Sequence, residues 1–295
     1  MDQLLQLIVN GLITGSILAI GAIGITLVFG ILDIGNFAHG EYLTIGMYAA
    51  WVVNVELELP FAVAIVAAVV VAGLIGVLLD MGVLRSFRDK GPGALLIVTL
   101  GLSLIIRNSL LFLFGPAPKS FDVDVTSVYV IGSVRISFPQ LLAIGVTIGV
   151  VIFVAWLLGR TRTGKSMRAM ADDRELAGVA GVNMHRTRRS TWLIRSGLAG
   201  LGGVLVGLTQ GAFNPETGWN LLLLLFTAAI LGGLRSAYGT LAGGLILGLS
   251  MEVSTWDGFF GGGLESIYKP VLAFVVLIVL LMLRPQGLFG KAQTT

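Results

Sequence analysis

Long apolar runs and short polar connections divide the chain into nine charge-poor segments: 4–32, 37–55, 60–84, 93–114, 139–158, 191–211, 220–234, 238–256 and 268–283. Most approach or exceed the roughly 20 residues that an α-helix needs to cross a bilayer core. Lipid-facing backbone must satisfy its own hydrogen bonds, and the two-residue alternation of a transmembrane barrel is missing. The pattern predicts an all-α, polytopic transmembrane helix bundle of eight to ten spans, with nine the best count. The seventh and eighth segments are short and joined by Leu234-Arg235-Ser236-Ala237-Tyr238, so a re-entrant hairpin is an alternative there.

Composition strengthens this reading. The chain is 56% hydrophobic and 12% charged, against about 25% charged in soluble domains. Burying so much apolar surface inside one soluble core of 295 residues is implausible. The 41 glycines would weaken soluble helices, but in a membrane they let helix backbones approach closely. Four-residue spacing of small residues recurs in Gly11/Gly15, in Ala199/Gly203/Gly207/Gly211 and in Thr240/Gly244/Gly248, and tight packing is the simplest reading of each stripe. Cysteine is absent, which excludes disulfides and thiolate chemistry. The charge-free run 3–32 is too long for the apolar core of a secretory signal, which spans about 7–15 residues.

Charge sorts the connections. If the spans alternate, Arg85, Arg88 and Lys90, the bases from Arg160 to Arg195, and Arg235, Arg284 and Lys291 share one side; these are 15 of 19 basic residues. Asp2, Glu56, Glu58, Asp122, Asp124, Glu216, Asp257 and Glu265 fall on the other. The positive-inside rule then places the N-terminus outside and the C-terminus in the cytoplasm. The bases act as topology determinants, and no nucleic-acid partner is expected. The whole chain reads as a single transmembrane domain, 1–295, with two long connections. The external one, 115–138, carries alternating tracts around Phe121–Val125 and Tyr129–Ile136 that predict a β-hairpin-like cap. The cytoplasmic one, 159–190, is the longest hydrophilic stretch.

Three groups of residues carry candidate chemistry. In Asn36-Phe37-Ala38-His39-Gly40-Glu41-Tyr42, only 14 uncharged residues separate Glu41 from Glu56. That is too few for a span of about 20, so either the helix begins near Asn36 and carries His39 and Glu41 into the membrane, or the backbone breaks at Gly40. Ionisable groups at that depth cost about 2.5–3.5 kcal/mol on insertion scales and normally face a cavity or a partner. Lining of a pathway, with Thr44 one turn further on, and a structural His–Glu contact at an interfacial turn both remain open. Metal binding is not expected, because His39 and His185 are the only histidines and lie far apart. Isolated polar residues inside other spans, Arg107, Asn108 and Glu252, also read as pathway candidates, with Arg107 and Glu252 able to pair across helices. Arg195, Lys269 and Arg284 lie near span ends, where long side chains snorkel.

The cytoplasmic loop is the third group. Met167, Met170, Leu176, Val179 and Ala180 recur at helical spacing, with Arg168, Asp172, Asp173 and Glu175 elsewhere, which predicts a short amphipathic element suited to docking a partner protein. The loop opens on Gly159-Arg-Thr-Arg-Thr-Gly164-Lys165-Ser166, a match to the phosphate-loop pattern. An apolar membrane segment precedes it, and no strand ending in Asp follows to hold magnesium, so nucleotide binding here is not expected. No nucleophile with its base and orienter is evident, and no catalytic residue is assigned.

The run from Gly24 to Gly46, above all Asn36-Phe37-Ala38-His39-Gly40-Glu41, resembles the signature of branched-chain amino acid ABC transporter permeases of the LivH type. So do Arg162 to Gly181, Ala228 to Gly248 with Ile230-Leu231-Gly232-Gly233-Leu234, and the segment Arg284-Pro285-Gln286-Gly287-Leu288-Phe289-Gly290. The resemblance implies an inner-membrane importer subunit rather than an enzyme. A second permease subunit, this chain or a paralogue, would complete the pathway. Two cytoplasmic ABC ATPases would bind ATP and magnesium, this chain binding no cofactor, and an external binding protein would deliver leucine, isoleucine or valine. Arg168, Asp172, Asp173, Glu175, Ala177 and Gly181 would couple to the ATPase, the run from Glu175 fitting the importer pattern with Leu176 replacing Ala. Asn36, His39 and Glu41 would lie by the pathway. Arg195 stands where the family pattern suggests an apolar residue. A urea or short-amide ABC permease shares a similar motif and is the nearest alternative, with an ion-coupled secondary transporter further off.

Overall fold

After Asp2 nothing charged interrupts the first apolar run, and it folds as one helix, α1 (Asp2–Leu32), about 46 Å long at 1.5 Å per residue. The computed structural model describes residues 2–32, 35–87, 90–123, 127–258 and 263–290; Arg88, Asp124, Val125 and Lys291 lie outside them. Each apolar run of the sequence is helical. α2 (His39–Trp51) continues through a π-helical turn, Val52–Glu56. α3 (Phe61–Leu79) continues through a second, Asp80–Leu84, into the short α4 (Arg85–Phe87). α5 (Pro92–Phe114) and α6 (Phe138–Arg160) follow, then α7 (Arg162–Asp172), α8 (Arg174–Val179), α9 (Met184–Gln210), α10 (Thr217–Gly232), α11 (Ala237–Val253) and α12 (Lys269–Leu283). Between α5 and α6, β1 (Val128–Ile131) pairs antiparallel with β2 (Val134–Ser137). The upstream tract near Phe121 forms no strand among the described residues; one isolated bridge joins Lys119 to Phe213.

Six of these helices, among the described residues, have the length and composition of a full crossing; α10 and α11 together form a pair bent by 119° at a short break, which gives seven if that pair is one span. The nine apolar runs are therefore not nine equivalent crossings: α2 is a partial helix, and the seventh and eighth runs are two arms of one bend. α1 and α9 are the central helices, each 83% buried over its most apolar window, whereas that of α12 is 6% buried.

Glycine contacts explain how two long helices pack into the centre. On α1 and α11 the small-residue stripes face each other, so that a Cβ on Gly248 would fall on the backbone of Gly15 and one on Gly244 on that of Ala19. Thr26 and Thr240 share a hydrogen bond at the other end of this seam. α9 meets α2 the same way, with Gly203 against the backbone of Leu43 and Gly46 against Gly200.

The two ends of the bundle are distinct. At one end the Gln3 amide donates to Asp257 at 2.7 Å, and Gln6 exchanges bonds with the backbone of Arg135 in the hairpin. At the other, α7 packs on α1, α6 and α9. Here too the backbone N–H groups of Leu288 and Phe289 donate to the carbonyls of Leu231 and Gly232, at 2.9 and 3.2 Å. The α10–α11 bend and the segment after α12 thus lie together, which puts Arg235 and Arg284 on one side.

Candidate functional site

α2 starts inside the bundle. Asn36 Oδ1 accepts from the N–H of Ala38 at 2.9 Å, an Asx-type turn that begins the helix without a cap from outside. His39 then lies against Gly21 and Gly24, in the second half of α1. The first turn of α2 is buried on all sides, with His39, Glu41 and Thr44 each fully inaccessible. A neighbouring helix also begins here, because the backbones at Gly40 and Gly218 touch and the N–H of Gly218 donates to Thr44 Oγ1 at 3.1 Å. Two helices, α2 and α10, therefore begin side by side within the bundle. Discontinuous helices at such depth are a recurring way to build a transport site.

Residues two apart on a helix point about 200° apart, so His39 and Glu41 face different neighbours and make no contact with each other. Glu41 turns to α5. Its Oε1 accepts from Ser103 Oγ at 2.7 Å and lies 3.6 Å from Arg107 Nε, while the other oxygen, Oε2, is buried without a hydrogen-bond partner. Arg107 stacks over the ring of Trp219 on α10 at 4.4 Å, and 17% of its side chain stays exposed. His39 turns to α1 and α9. Nε2 donates to the carbonyl of Gly21 at 2.7 Å, which leaves Nδ1 to accept from Arg195 Nη2 at 3.4 Å.

The structure thus brings Asn36, His39, Glu41, Thr44 and Arg107 to one region and separates Asn108 and Glu252 from it. Asn108 is exposed and bonds back to its own helix at Leu104, 2.7 Å away. The pairing of Arg107 with Glu252 does not occur. Glu252 instead accepts from Lys269 Nζ at 2.7 Å and from Thr14 at 3.3 Å, beside a cavity of about 300 Å³ lined by Asn10, Gln140 and Gln210 among others. Distance along the chain decides this: Lys269 is on the next helix after α11, whereas Arg107 is already held by Glu41 and Trp219.

Arg195 corrects the sequence reading most. It does not snorkel. Its side chain is fully buried, stacked at 4.1 Å on Trp192 and at 5.0 Å on Tyr42. The central position of α9 leaves no route for it to reach the surface. Ser103, Trp219 and Trp192 escaped the sequence reading, and Tyr42 entered it only as the end of the 36–42 motif. The four-residue interval from Ser103 to Arg107 was a signal for the first; nothing in the sequence marks the two tryptophans as partners.

The hydrophilic loop folds as two helices. Thr161 accepts from the N–H of Gly164 to cap α7, and Asp173 accepts from that of Leu176 at 2.9 Å to cap α8. The second cap breaks the expected single amphipathic face. Met167 and Met170 are buried beneath α7, but Leu176 and Val179 on α8 are 68% and 89% exposed. Ala177 is buried, and Arg168, Asp172, Asp173, Glu175 and Gly181 are exposed, with Gly181 at φ 82°. The phosphate-loop match dissolves into packing: Gly159 lies inside α6, and Gly164 presses on the carbonyl of Leu157, where no side chain fits. Among the described residues no group of three acidic or histidine side chains is placed to hold a metal.

A bundle of membrane-crossing helices with two interrupted helices meeting at a polar centre defines a polytopic membrane permease. The branched-chain amino acid transport system / permease component family matches residues 7–282. The chain belongs to this family, and its role is that of a transport subunit rather than an enzyme. It is 32% identical to the high-affinity branched-chain amino acid transport system permease protein BraD of Pseudomonas aeruginosa, over 98% of this chain and 96% of that one. It is 31% identical to the corresponding LivH protein of Escherichia coli, with the same coverage. The ribose import permease protein RbsC of Escherichia coli is 26% identical over 90% of this chain and 81% of its own. Among solved structures, PsaBC from Streptococcus pneumoniae in complex with Fab is similar in fold, with a TM-score of 0.50 at 15% identity over 94% of this chain and 91% of that one.

Proposed function

We propose that this chain is a membrane subunit of an ABC importer in the inner membrane, admitting leucine, isoleucine, valine or similar amino acids. Two such subunits, identical or paralogous, form the route. Two separate ATPase chains supply the energy from ATP and magnesium, and an external binding protein presents the substrate. The N-terminal end faces outside and the α7–α8 end faces the cytoplasm, in keeping with the positive-inside rule.

The observation that carries this reading is α8. It projects Leu176 and Val179 into solvent at one end of the bundle while Met167 and Met170 fasten α7 to the core. An exposed apolar pair on a firmly based helix is what a partner's groove requires. The polar start of α2 is closed off in this conformation and comes to line the route when the bundle opens, with the exposed part of Arg107 marking the side on which it does so. Purification of the chain with the partner chains that co-purify with it, followed by counterflow in proteoliposomes, tests the proposal. Leucine exchange dependent on the ATPase chains supports it. Exchange of urea without leucine would identify a short-amide permease instead, and uptake that collapses with an ionophore but needs no ATPase would reject it.

A further inference from the structure

Arg195 occupies a membrane-depth position with no carboxylate in contact among the described residues, and its Nε and Nη1 have no hydrogen-bond partner. A buried charge so weakly satisfied is costly, and packing alone would be served by Leu or Met. Its surroundings suggest what it does. Along one face of α9, Arg188, Trp192 and Arg195 follow at intervals of four and three, so they stack within about 10 Å of helix. Arg188 lies just beyond the α7–α8 loop and pairs with Asp80, the first residue of the π-helical turn after α3, at 3.7 Å. Arg195 in turn grips α2 twice, through His39 at 3.4 Å and the ring of Tyr42 at 5.0 Å. Helical spacing from Arg188 to Trp192, and then the contacts of Arg195 with Trp192, Tyr42 and His39, thus join the base of the loop to the buried start of α2, next to Glu41 and Thr44.

We propose that Arg195 is a positioning residue that ties the loop-proximal part of α9 to α2, so that movement of the loop is delivered to the polar centre of the bundle. The claim rests on the importer reading above. Arg195 does not touch the transported molecule. It holds α2 in register with α9, and the guanidinium plane is required because it stacks on two rings while donating edge-on to His39. An ammonium keeps the charge but not the stacked plane.

The test uses the complete complex in proteoliposomes and reads substrate uptake and ATP hydrolysis separately for native protein, Arg195→Gln and Arg195→Lys. In Arg195→Gln, uptake per ATP hydrolysed is expected to fall at least tenfold while hydrolysis continues, with Arg195→Lys between the two. An unchanged ratio, or both rates falling in proportion, overturns the proposal. Should Arg195→Gln fail to assemble, Trp192→Leu removes one stacking face and leaves the charge; its ratio is expected to fall several-fold, and a native ratio overturns the proposal equally. A second readout needs no transport. This chain has no cysteine, so with partner chains made cysteine-free, a fluorophore at Leu57→Cys, just past α2 and 58% exposed in the parent residue, reports on the end of α2. Its response to ATP–vanadate trapping is expected to be lost in Arg195→Gln; an undiminished response refutes the proposal. Failure of the native complex to retain ATPase chains or to take up leucine would strike the importer reading, whereas a native ratio in the variants strikes only Arg195.

Discussion

Glu41 and Arg107 offer a quantitative test of the polar centre. The perturbation is a double-mutant cycle of Glu41→Gln, Arg107→Gln and the pair. At 3.6 Å between Nε and Oε1, an effective dielectric of about 20 gives a raw attraction of roughly 4–5 kcal/mol. Much of this is offset by desolvation, because Glu41 is fully buried, and by the share of Arg107 that remains in contact with solvent. A net coupling of about 1–3 kcal/mol follows, within the usual range for adjacent charges. The single variants should differ. Glu41→Gln keeps an acceptor for Ser103 and leaves Arg107 on the Trp219 ring, so its cost should be about 1–2 kcal/mol. Arg107→Gln leaves a buried carboxylate held only by Ser103, and should cost about 3–5 kcal/mol, as when one partner of a buried pair is removed. Unfolding in SDS-titrated mixed micelles, followed by tryptophan fluorescence, measures all four proteins. Additivity within about 0.5 kcal/mol would refute the pairing, and so would a larger cost for Glu41→Gln than for Arg107→Gln.

Three further outcomes are expected. Glu175→Lys, and Gly181→Val at its φ of 82°, should abolish uptake while membrane insertion is retained; normal uptake by either would remove the loop from the coupling role. Lys165→Ala should leave nucleotide hydrolysis by the whole complex unchanged, since the loop that carries it is a packing contact, and a marked fall in hydrolysis would contradict that. Gly248→Leu should cost at least about 1–3 kcal/mol by overpacking α1 against α11, read as a lower thermal midpoint of the detergent-solubilised protein; an unchanged midpoint would mean the two helices separate freely.

The bundle was legible because its signal is coarse: runs of apolar residues long enough to cross a bilayer survive any detail of packing. Of the two backbone courses open for 36–41, a helix starting near Asn36 or a break at Gly40, the first is found: α2 begins at His39 and runs through Gly40 unbroken. What one sequence lacks is adjacency. Nothing along the chain says that α2 lies between α5, α9 and α10, so the partners of Glu41 and Arg195 were beyond reach, and Arg195 seemed free to leave the core. The short seventh and eighth runs did suggest a hairpin at 234–238, and α10 and α11 do bend there, but hydropathy alone could not give the angle of 119°. The break at Asp173 was within reach, because an Asp before Arg174-Glu175 is a helix-start signal, and helical spacing of the apolar residues obscured it.

The hydrogen bonds from Leu288 and Phe289 to Leu231 and Gly232 have a consequence for biogenesis. Those carbonyls sit at the C-terminal end of α10, which leaves them short of in-helix donors, and their donors are synthesised more than 50 residues later. Until that stretch has emerged from the ribosome, the elbow has no clasp. The clasp is supplied by a stretch made well after both arms of the elbow, so nascent chains stopped before Leu288 should hold α1 to α9 in order while the elbow stays open to proteolysis.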